Sequence, residues 1–222
     1  GITVTELTQG IAGPYCSQMA ADLGADVVKV EPLLGDRTRQ WGPPFDKGES
    51  TVFLALNRNK RSLALNLSNA DGREVVKRLI KRSDVLIEEF LGNEASSLTL
   101  DYDSNQAVNP RLIQCNITGF GERGPMAEIP GAELPVQAML DYPGGLGAIG
   151  EPPVRAGADL GGTNTAVFAL QAIMACLIRR AHSGQGQRVS VSMAGVLAEL
   201  KTFIIAAPSD PDEWGGFHLD SW

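Results

Sequence analysis

The 222-residue chain carries 19 basic against 26 acidic residues, a formal net charge of −7, with 43% hydrophobic and 20% charged residues. That is an ordinary globular balance, long enough to bury a core, and it argues against nucleic acid or an anionic membrane as the main partner. Three widely spaced cysteines and two histidines leave too few parts for a zinc site, a serine triad or a disulfide framework, so no metal is expected. The longest apolar run, 166–177, is too short to cross a bilayer, and without a signal-peptide pattern the cytoplasm is the expected location.

Strands and helices alternate through the N-terminal half. The run ITVTEL predicts a first strand, after which Gly13-Pro14 opens a helix reaching Leu23. DVVKVE and SLALNL predict two more strands. A helix follows over 69–84, with Val75, Val76, Leu79 and Ile80 on one face and lysines and arginines on the other. DVLIEEF and LIQCNITGF continue the series as strands, the latter after the turn signal Asn109-Pro110. Apolar strands between amphipathic helices predict an α/β fold with a Rossmann-like, mainly parallel sheet flanked by helices.

From Gly121 to Gly157 the composition turns to glycine, proline and polar residues. A buried helix is expected over 163–181, then the strand RVSVSM, and then a helix over 194–207. Residues 1–207 read as one large domain, and the Pro- and Asp-rich 208–222, with its exposed aromatics, as the start of a linker toward something further.

Two stretches invite a ligand. Gly145–Gly150 matches G-x-G-x-x-G, but two prolines follow where a phosphate-holding helix would have to start, so a Gly-rich loop is the better reading. Arg37, Arg39, Arg58, Lys60 and Arg61 cluster around predicted strand ends in an otherwise acidic chain. They form either a solvated surface or a cradle for phosphates or a carboxylate.

In order, AGPYCSQMAADLGADVVKVEP, GDRTRQWGPP, NRNKRSLALNL, DVLIEEF, LDYDSNQAVNPRLIQCNITGFGERGP, PVQAM and RRAHSGQGQRVSVSM resemble the class III CoA-transferases, which include formyl-CoA transferase and carnitine CoA-transferase. The likeness covers about the first half of a usual family chain. It implies two interlocked chains, no permanently bound cofactor, and coenzyme A esters as substrates. CoA passes from an acyl-CoA such as succinyl-CoA to a free carboxylic acid through an aspartyl nucleophile. Ala12, Arg39, Leu65, Phe90, Gly119 and Gly121 are the CoA-binding positions the likeness implies.

In the family the nucleophile stands fifteen residues before the leucine matching Leu177, which places Gly162 there, not the nearby Asp159. Glu89 and Leu91 stand where many relatives have Asn and Arg, Ser97 where an arginine is usual, and Ile11 where formyl-CoA transferase has glutamine. Ala132 and Glu133 replace the His-Asp pair of a related racemase branch, so its proton transfer is disfavoured. The leading expectation is a non-catalytic subunit paired with a related catalytic chain, as in benzylsuccinate-type heteromers. The alternatives are an active homo-oligomer using Asp159 and an acyl-CoA-binding module without turnover.

Overall fold

The computed structural model describes residues 1–143, 146 and 151–201. The glycine series 145–150 therefore lies, apart from Leu146, outside the described residues, as does the expected linker 208–222. Strands β1 (Thr3–Leu7) and β2 (Asp26–Glu31) flank helix α1 (Ala12–Asp22). After a 3-10 turn at Arg37–Gln40 come the small hairpin β3 (Phe45–Asp46) and β4 (Glu49–Ser50), helix α2 (Thr51–Asn57), and strand β5 (Lys60–Ala64). Helix α3 (Ala70–Ile80), strand β6 (Val85–Glu88), helices α4 (Glu94–Ser97) and α5 (Tyr102–Val108), and strand β7 (Ile113–Thr118) follow. The described part closes with α6 (Glu133–Met139), α7 (Leu160–Ser183), β8 (Gln187–Ser192) and α8 (Met193–Leu200).

Six strands make one sheet in the order β5-β2-β1-β6-β7-β8, with every neighbouring pair parallel. This is the doubly wound order in which the chain reverses direction between β1 and β6. The expected Rossmann-like parallel sheet is what forms.

Alternation along the central strands divides the core in two. Val85 and Ile87 face the layer made by α1 and α7, with Cys16, Ala166, Ala169 and Ile173. Leu86 points the other way, to Val76 and Ile80 of α3. Each such aliphatic side chain contributes roughly 1.5–3 kcal/mol by leaving water. All three cysteines are free and buried.

Helix α3 stops at Ile80, four residues before the expected 84, and two other shifted boundaries have a visible cause. The third sheet strand starts at Lys60 and stops at Ala64, because Asn66 turns the chain by accepting from the Ser68 amide. The long helix starts at Leu160, three residues early, for a reason that belongs to the site. At its other end Gly184 adopts the left-handed conformation and its N–H returns to Arg180. Length and hydropathy alone would let α7 cross a membrane, although its uninterrupted apolar run is short. It packs against α1, β7, β8 and α8. Its buried Arg180 binds Asp84 at 2.8 Å and the Arg111 carbonyl at 3.1 Å, which ties the helix to the starts of β6 and β7.

Candidate functional site

The carboxyl ends of the sheet strands open into a cavity of about 1010 Å³, where doubly wound folds hold ligands. Every strand end contributes. Thr8, Gln9 and Ile11 come from the loop after β1, Glu31 from the end of β2, and Leu65 from beyond β5. Glu89 and Phe90 follow β6, Thr118 and Gly119 close β7, and Met193 follows β8.

A buried charge cluster ties the strands that carry these loops. Lys29 binds Glu6 at 2.7 Å and Asp36 at 2.8 Å, and Lys60 reaches Glu6 at 2.9 Å. Burial alone would raise the Glu6 carboxyl, but the two ammonium groups overcome it and hold it at about 2. Burial wins at Lys60, whose ammonium is lowered to about 8 despite Glu6. Two cations against two anions leave the cluster neutral, the arrangement that buried charges need. It joins β1, β2 and β5 to the loop carrying Asp36, and Lys29 also donates to the carbonyl of the cavity-lining Thr8 at 2.8 Å.

The basic residues that looked like a cradle are mostly committed elsewhere. Arg39 forks onto Glu31 with two bonds of 2.9 Å and lies over the Phe53 ring; it is not among the cavity-lining residues. Arg58 pairs with Asp22 and Arg61 with Asp26. Only Arg37 of that set lines the cavity. Ala12, Leu65, Phe90 and Gly119 line it as well, whereas Gly121 sits just beyond, its N–H donated to the Thr118 hydroxyl. Gly119 has a reason of its own. A Cβ there would come within 2.3 Å of Gly131 Cα, so the two backbones can cross only as glycines.

Glu89 stands in the wall between the two central strands, accepting from the Gln9 amide at 2.9 Å. Burial pushes its carboxyl up to about 7, against the pull of the Arg37 guanidinium. Its neighbour Glu88 faces inward and meets Gln114, Asn116 and the Phe90 amide; burial raises its carboxyl too, against these hydrogen bonds and the weaker pull of the Arg188 guanidinium.

The first turn of α7 forms the far wall. Asp159 lines the cavity and pairs with Arg155 at 3.3 Å, both side chains at the surface. It makes no side-chain cap on the helix. The cap comes from a different helix. Glu133 of α6 accepts from the Gly161 amide at 2.6 Å and the Gly162 amide at 2.8 Å, a carboxylate against the positive end of a 24-residue helix. This non-local cap explains why α7 starts earlier than its own sequence indicates. Gly162 also lines the cavity, buried in the same turn. Among the described residues no three His, Cys, Asp or Glu side chains are grouped to hold a metal.

The model of CoA-transferase family III matches residues 1–212. The chain belongs to CoA-transferase family III. Among its relatives are the succinate–glutarate CoA-transferase of Agrobacterium fabrum, 39% identical over 98% of this chain and 57% of that protein, and the human succinyl-CoA:glutarate CoA-transferase, 34% identical over 98% of this chain and 51% of that protein. The formyl-CoA:oxalate CoA-transferase of Streptomyces coelicolor is 38% identical over 90% of this chain and 48% of its own length. A crystal structure of a CAIB/BAIF family protein from Brucella suis superposes with a TM-score of 0.86 at 39% identity, over 95% of this chain and 58% of that one. The chain thus spans about half the length of the curated family III relatives it matches.

Proposed function

We propose that this chain contributes an acyl-CoA-binding half-site to a CoA-transferase that moves CoA from an acyl-CoA, such as succinyl-CoA, to a free carboxylic acid, and that a related partner chain supplies the nucleophilic aspartate. The observation that carries this reading is Gly162: it lines the cavity at the first turn of α7, where the family register expects the nucleophile, and it has no side chain. In this reading residues 1–207 form the large domain and 208–222 lead toward a second one, within two interlocked chains.

In the transfer itself, a carboxylate oxygen attacks the thioester carbonyl and CoA leaves as thiolate. The thiolate then attacks the resulting mixed anhydride to give a protein thioester and release the first acid. The acceptor acid reverses the sequence. This chain's residues bind and orient. Phe90, Leu65 and Ile11 offer apolar surface and Arg37 a cation, without a group bound permanently.

The test is exchange of labelled succinate into succinyl-CoA. The chain alone is expected to bind succinyl-CoA by calorimetry and to exchange no label, with exchange appearing once its related partner is added. Exchange by the chain alone overturns the reading. If Asp159→Ala then abolishes that exchange, the catalyst is Asp159, which lines the same cavity. Binding without exchange even in the native assembly makes the protein an acyl-CoA-binding module.

A further inference from the structure

We infer that Ile11 is the residue that bars this chain from carrying a nucleophile of its own at position 162, because its side chain stands in the space that a side chain there needs. A Cβ built on Gly162 would meet Ile11 Cγ2 at 3.0 Å and Ile11 Cβ at 3.1 Å, well inside the ~3.5–4.0 Å at which carbon atoms attract. Ile11 has little freedom to yield. Its side chain is β-branched and stiff at χ1, and its carbonyl is held by the Tyr15 amide at 2.8 Å as the N-cap of α1. Glu133 Oε2 lies 3.6 Å from the same Cβ position, its carboxylate fixed by the Gly161 and Gly162 amides. A carboxylate introduced at 162 would meet both an apolar branch and a like charge.

The inference rests on the reading of Gly162 given above, and it makes a separate claim: the glycine and the isoleucine act as a pair. Restoring a carboxylate is then insufficient on its own. Ile11→Gly removes both contacting carbons at an N-cap, a position that tolerates glycine. In Ile11→Gly/Gly162→Asp the introduced carboxylate oxygen can bond to the thioester carbonyl carbon as the C–S bond breaks. The CoA thiolate then re-attacks and free succinate leaves.

The experiment uses the full chain in its native assembly with succinyl-CoA as probe. Calorimetry reads binding, and intact mass reads hydroxylamine-sensitive adduct on this chain. The wild type and Gly162→Asp are expected to bind and stay unlabelled, while the double variant is labelled at least ~10-fold more, since a misplacement of ~1 Å costs on the order of 100-fold. Equal labelling of the single and double variants overturns the inference, as does binding without labelling of the double variant. Absence of binding by the wild type overturns the functional reading instead, and the inference with it. A melting series needs no catalysis: Gly162→Ala should lower Tm in the parent and markedly less in the Ile11→Gly background. An equal loss in both overturns the pairing.

Discussion

Glu89 has a consequence for stability that its sequence neighbourhood does not reveal. Its carboxyl is raised from an ordinary 4.5 to about 7 by burial in the cavity wall. Between those values the unfolded chain has released a proton that the folded chain still holds, so stability falls as pH rises through that window. Glu89→Gln should flatten the fall, and urea midpoints at about pH 5 and about pH 7 read it. A remaining slope of the same sign is expected from Glu88, which is also raised. An unchanged slope in Glu89→Gln would mean that the side chain is not shielded from water as its position implies. At this scale the sequence offered only identities. It showed Glu89, Ile11 and Gly162 as departures from a family pattern, but not that Ile11 stands where a Cβ at 162 would reach, because contact between α1 and α7 is made by the fold.

Elements were legible where their signals are local. Apolar runs marked β6 and β7, both buried along their whole length, and the apolar face of Val76 and Ile80 marked α3, whose N-cap Asn69 accepts from the Asp71 amide. Helix α2 carried a local signal too, Ser50 capping the Phe53 amide, but its seven residues are too few for periodicity to register. The start of α7 was not readable, because its cap is Glu133 in another helix. Its end, two residues beyond the expected 181, carries a local signal: Gly184 follows Ser183 and takes φ +74°. Gly184→Ala should therefore cost about 1 kcal/mol. A new Cβ would meet only Arg111 Nη1 at 3.8 Å, so the cost is backbone conformation rather than collision. A urea titration reads the loss; no change in midpoint would show that the left-handed cap does not limit α7.

At the scale of the whole molecule, this family III chain presents a cavity at the carboxyl edge of its sheet, next to neutralised buried charges, with the Ile11 side chain close to Gly162, the residue we propose stands in register with the family nucleophile. Arg39, singled out as a CoA contact, braces Glu31 beside that cavity, and Arg37, noted only as one of a basic cluster, lines it. Charge and spacing in a sequence locate a cluster of cations, but ion pairing within the fold decides which of them face a ligand. The central claim is that catalysis needs a second chain, and the native mass of the assembly purified from its source tests it most directly. Two related chains in equal amount, the second bearing an aspartate in register with Gly162, is the predicted result; a single chain species that transfers CoA would contradict the account.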